Sequence, residues 1–98
     1  MNDSLTVIAH IRANPGQESR VRQILEGWLA PTRAEAGCIN YDLHQSQTDP
    51  ALFVFYENWE SETHLDAHAR SAHIQSFRSL TDETLAEPAE ITKWQILD

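Results

Sequence analysis

The sequence predicts an α+β fold of ferredoxin-like type: a four-stranded antiparallel sheet and two helices in the order βαββαβ, with both helices on one face. Three observations carry that prediction. Period-2 alternation marks four stretches, helical periodicity marks two others, and the only short turn between strands joins the middle pair. The 98 residues form one domain, residues 1–98, long enough to bury a core but with little margin.

Leu5, Val7, Ala9 and Ile11 alternate with Thr6, Ile8, His10 and Arg12, the pattern of a first strand. Asn14, Pro15 and Gly16 stop it. Asn14 also reads as an N-cap with Pro15 at the first helical position, after which Val21, Ile24, Leu25, Trp28 and Leu29 form one apolar helical stripe. Pro31 kinks or ends that helix, and Gly37 closes its last turn. Cys38 to Ser46 sets Ile39, Tyr41 and Leu43 against Asn40, Asp42 and His44 as a second strand. Asp49 and Pro50 turn the chain into a third, Ala51 to Trp59. Ser61 caps a second helical region that runs from about Glu62 to Leu85 with a break near Ser71. Pro88 ends the connection, and Ala89 to Leu97 supplies the fourth strand.

The third strand is apolar on both faces, with Phe53, Phe55 and Trp59 on one and Leu52, Val54 and Tyr56 on the other. The helices can cover only one of them. Side chains left wet on the second would each forgo roughly 1.5–3 kcal/mol, and such a patch marks an interface. A homodimer packed sheet to sheet is the expected solution, because a two-fold axis lets one patch cover its own copy.

With 7 basic and 15 acidic residues the formal net charge is −8, which argues against nucleic acid or an anionic membrane surface as partner. No stretch reaches the roughly 18 apolar residues of a membrane span, and no leader segment is visible, so the expected location is cytoplasmic. Cys38, the only cysteine, rules out an internal disulfide and a multi-thiolate zinc site, and reads as a packing residue.

Three of the five histidines, His64, His68 and His73, lie in the second helical region. Leu65, Ala69, Ala72, His73, Phe77 and Leu80 share a stripe there; His68 borders it, and His64 points away toward solvent. His68 and His73 are thus the imidazoles that face the sheet, and imidazole takes and gives protons near neutrality. Phe55, Glu57 and Trp59 share one strand face. If it looks toward the helices, Glu57 can orient an imidazole beside an aromatic wall of Trp59 and Phe55; an ordinary core with a solvated acid fits the residues equally well. No metal is expected, since His64 and His68 at i, i+4 lack both the glutamate of HExxH and a third ligand. His10 and His44 read as solvent or interface residues, and no nucleotide-binding loop or serine-hydrolase elbow occurs.

Taken together, Asn14-Pro15-Gly16, TRAEAGCINYDLHQS (Thr32 to Ser46), DPALFVFYENWES (Asp49 to Ser61) and HLDAHARSAHIQSF (His64 to Phe77) resemble the antibiotic biosynthesis monooxygenase domain. That family of small dimeric α+β barrels includes cofactor-free quinol monooxygenases. The resemblance implies a homodimer, a pocket between helices and sheet, and oxidation of a small quinol or phenolic substrate by O2 with no cofactor. It also implies Trp59, His68 and His73 as catalytic residues, Phe53, Phe55 and Leu65 as apolar lining, and Glu57 among the substrate-binding positions. Ala9 stands where the haem-degrading branch has Asn, so haem degradation is disfavoured. Two alternatives stay open: an isomerase or related enzyme of a small carbonyl metabolite, and a non-catalytic small-molecule binder.

Overall fold

Alternation sets the sheet. In the computed structural model, which describes residues 4–78 and 81–97 (the side chains at 78, 81 and 82 excepted), β1 (Leu5–Arg12) pairs antiparallel with β3 (Leu52–Trp59) and β4 (Glu90–Trp94). β3 in turn pairs antiparallel with β2 (Cys38–Gln45), giving the order β2-β3-β1-β4, the ferredoxin-like arrangement. Register places Val7 opposite Glu57, Ala9 opposite Phe55 and Ile11 opposite Phe53, so these side chains share the face that joins the buried core. Val21, Leu25, Trp28, Leu65 and Phe77 cover that face from the helices, and all belong to one core cluster.

Strict alternation misplaces Ile39. Cys38 pairs with Trp59 and Tyr41 with Glu57, so β2 fits two residues, Ile39 and Asn40, against the single Asn58 of β3. This β-bulge turns both Cys38 and Tyr41 toward the core and leaves Ile39 56% exposed. Burial, followed by the charges of Glu35 and Glu57, pushes the Cys38 thiol pKa up, in keeping with an inert packing residue.

The first helical region also departs from expectation. Asn14-Pro15-Gly16-Gln17 is not a helix start but a tight turn: the Gln17 N–H donates to the Asn14 carbonyl, and Gly16 takes φ +87°. Proline followed by a left-handed glycine is the type II turn signature, and here it prevails over capping. Helix α1 begins later, at Glu18–Glu26, and a second short helix, α2 (Leu29–Arg33), follows the irregular step at Gly27 and Trp28. Pro31 lies in the first turn of α2, where its missing N–H has no intrahelical partner to lose. Gly37 has φ +83°, and a Cβ there would overlap the ring of His64.

The second helical region breaks at Ser71 as expected. Helix α3 (Glu62–Ala69) starts on Ser61, whose side chain accepts the His64 N–H. It closes with Ser71 N–H donating to the His68 carbonyl, and α4 (Ala72–Arg78) and the short α5 (Thr81–Thr84) follow. Leu80 of the expected stripe lies outside the described residues. β4 is shorter than Ala89 to Leu97: regular pairing ends at Trp94, opposite Thr6, near the start of β1.

The open sheet face is more mixed than alternation suggests. Thr6 donates to Asn58, Asn58 to Asn40 and Asn40 to Asp42, a polar chain of side-chain bonds of 2.6, 2.9 and 3.1 Å. Ile8, Leu52 and Val54 are half-buried on this face, and Tyr56 and Trp94 are exposed. Among the described residues, no helix is long and apolar enough to cross a membrane.

Candidate active site

The helices cover the sheet unevenly. Ile91 pairs with Ala9 and faces the helix side, yet is 60% exposed, because the β1–β4 half of that face lies under a cavity of about 510 Å³. Val7, Ala9, Ile11 and Ile91 line it from the sheet. Trp28, Leu65, Ile74 and Phe77 line it from the helices, and Tyr41, Phe55, Glu57 and His68 supply its aromatic and ionisable lining.

His68 is buried in the last turn of α3, its ring 4.8 Å from that of Trp59 and 5.4 Å from that of Tyr41. Its Nδ1 lies 3.0 Å from Glu35 Oε1. A carboxylate can only accept, so with Nδ1–H donating to it the lone pair stays on Nε2 of a ring that lines the cavity. Burial lowers the pKa of His68 below its usual 6.5; the charge and hydrogen bond of Glu35 oppose this, and the charge of His73 adds to it. The ring is therefore held neutral at neutral pH, the form that can accept a proton. His73, from the first turn of α4, places Nε2 2.8 Å from Thr32 Oγ1 and 3.5 Å from Glu35 Oε2.

Glu35 was not among the residues singled out in the sequence, although a signal for it is present. The stripe Val21, Leu25, Trp28 continues at the same spacing to Thr32 and Glu35, and the Glu35 N–H donates to the Thr32 carbonyl to keep them one helical turn apart. Two polar residues at core-facing positions mark something other than packing.

Glu57 faces the helices as the conditional reading required, but it serves the indole. Its Oε1 accepts the Trp59 Nε1–H at 2.8 Å, while Glu35 orients the imidazole. Of the predicted site residues, Phe55, Glu57, Leu65 and His68 line the cavity; Phe53 and Trp59 are fully buried behind it, and His73 stands beside Glu35. His64 is not a solvated residue. Its Nδ1 lies 2.8 Å from Ser61 Oγ and its ring fills the space over Gly37, so it does not converge with His68.

Burial drives the Glu57 pKa up to about 7; the Trp59 bond works against that rise and the Glu35 charge adds to it. A carboxyl raised in the folded state stabilises the fold fully below its ordinary 4.5 and loses that contribution as pH rises through about 7. Stability should fall across this window by about 3 kcal/mol. Glu57→Gln, neutral throughout, should flatten the decline, as urea midpoints of the two proteins at about pH 5 and about pH 8 will show. An equal decline in both would place the titrating group elsewhere.

The family model for antibiotic biosynthesis monooxygenase matches residues 4–80. The chain belongs to that family. A Mycobacterium tuberculosis protein with a provisional monooxygenase name is 36% identical over 98 residues, covering 100% of this chain and 96% of the relative. An Escherichia coli relative named as a probable quinol monooxygenase is 34% identical, covering 74% of this chain and 80% of its own. Among solved structures, one crystal structure from Pseudomonas aeruginosa superposes with a TM-score of 0.94 at 36% identity, covering 100% of this chain and 98% of its own. That structure and the chain share one fold over nearly their whole lengths.

Proposed function

We propose that the chain is a cofactor-independent monooxygenase of a small quinol or related phenol, with His68 as the base. The observation that carries this reading is a carboxylate-held imidazole at the wall of a mostly apolar cavity. His68 Nε2 takes a hydroxyl proton from the substrate, and Glu35 stabilises the imidazolium that forms. The resulting phenolate is electron-rich enough to reduce O2, and the apolar walls around it exclude water. A hydroquinone that gains one oxygen atom leaves as a hydroxyquinone and releases the second oxygen as water. The substrate thus supplies all the electrons that O2 takes up, which is why no separate reductant enters the scheme. Trp59 packs against the His68 ring and His73 stands by Glu35, so both act through the dyad. Phe55 and Leu65 supply apolar lining, and Phe53 is buried in the same core.

An oxygen electrode tests this with chemically reduced quinols. One O2 consumed per quinol without hydrogen peroxide is the expected result; uptake no faster than in buffer would sink the reading. A phosphate-binding isomerase is less well supported, because Lys93, the cation among the cavity-lining residues, is engaged by Glu62.

The same proposal includes a homodimer joined through the open sheet face, where Ile8, Leu52 and Val54 adjoin exposed Tyr56 and Trp94. Light scattering should return twice the chain mass, and Tyr56→Glu should shift the species toward one chain. A wild-type protein of single-chain mass would remove this part.

A further inference from the structure

Three donor groups of the kinds that bind transition metals meet beside the cavity. Glu35 Oε2 lies 3.4 Å from His68 Nδ1 and 3.5 Å from His73 Nε2. One such atom from each of the three residues falls within 4.8 Å of the others. Ligand atoms held about 2.0–2.1 Å from a zinc-class ion stand roughly 2.9–3.4 Å apart in octahedral or tetrahedral geometry. Two edges of the triangle are close to that length, and the third, within 4.8 Å, closes with a relative side-chain shift of roughly 1.5 Å.

The chemistry of the donors selects the ion. Two imidazoles and one carboxylate suit zinc and its d-block neighbours, whereas magnesium and calcium call for oxygen ligands. The three elements that deliver them are anchored independently of any metal: Glu35 by its N–H on Thr32, and the two histidines on either side of the helix break at Ser71. His73 Nε2 stands 2.8 Å from Thr32 Oγ1 and 3.5 Å from Glu35 Oε2, so the ring is already turned toward the carboxylate.

We propose that Glu35, His68 and His73 bind one zinc-class divalent cation, and that its arrival removes the base. Coordination uses the lone pair of His68 Nδ1, so the ring proton must reside on Nε2. That is the atom required to be unprotonated for proton transfer. The second half of the proposal rests on the proton-transfer reading of His68; the first half does not.

Titration of the purified full chain with Co2+, followed by its visible absorption, tests the site without any turnover. Wild type should bind one Co2+ per chain. Glu35→Gln and His73→Gln preserve size and hydrogen-bonding capacity, and both should bind at least about tenfold more weakly. His44→Ala, which removes an exposed imidazole on the other sheet face, should bind as wild type does. Equal binding by all four proteins, or no saturable band, overturns the site. The switch is read separately by 15N spectra of the His68 ring with Zn2+, which should show the proton on Nε2; a proton remaining on Nδ1 overturns it. Zn2+ should also stop quinol-dependent oxygen uptake at the concentration that fills the site, and a chelator should restore it. Unslowed turnover at full occupancy overturns the switch, whereas a protein that binds Co2+ as described but oxidises no quinol fails the proposed function alone.

Discussion

Replacing His68 by alanine is expected to lower kcat/KM for quinol-dependent oxygen uptake by about 10²–10⁴-fold, the usual contribution of a positioned general base. That corresponds to about 3–5 kcal/mol of transition-state stabilisation. The loss should fall mainly on kcat, because Phe55, Leu65 and Phe77 still offer the same apolar lining to the substrate. Glu35→Gln should fall between this variant and wild type: its amide oxygen can still accept the Nδ1–H at the position of the carboxylate, but it cannot stabilise the imidazolium by charge. Alanine leaves an imidazole-sized space beside Trp59, so added imidazole should restore part of the lost rate. A purely structural histidine would not respond to that rescue. Turnover within threefold of wild type would remove His68 from the mechanism.

The largest effect on folding is expected at Trp59, which is fully buried against His68 and donates to Glu57. Trp59→Ala should cost about 3–5 kcal/mol, since the space left behind cannot collapse fully between β3 and the helices. For a domain of this size that is a fall in melting temperature of roughly 15–30 °C. Trp59→Phe keeps most of the ring volume but strands a buried carboxyl without its donor, at about 1–3 kcal/mol. The penalty of the phenylalanine variant should grow with pH, because the indole bond favours the charged form of Glu57. Thermal melts across pH check both variants; an alanine variant melting within about 5 °C of wild type would contradict the packing argument.

How far the sequence carried these conclusions depended on the range of the interactions involved. Period 2 along β1 and β3 is a local property, and it identified the faces bearing Val7, Phe55, Glu57 and Trp59 as the structure has them. Asn14-Pro15-Gly16 satisfies both a helix cap and a type II turn, and only the left-handed backbone at Gly16 separates the two. The exposure of Ile39 arises from a one-residue mismatch with β3, which β2 read alone does not contain. His68 and His73 were recognisable from helical spacing. Their carboxylate partner was not, because Glu35 is 33 residues from His68 and reaches it through the packing of α2 against the sheet. Strand alternation alone offers the imidazole Glu57, the acid on the same face as the aromatic wall. In the fold that acid is already held by an indole.

Ala9 has a consequence for how such a protein can diversify. It sits in the floor of the cavity, opposite Phe55 on one neighbouring strand and Ile91 on the other, and its small side chain is part of what makes room there. His68 and Glu35 arrive from the helical layer and the loop before β2, not from this position. Room and ionisable groups are therefore set separately: one substitution at the floor would change the space above it while the His68–Glu35 pair is left intact.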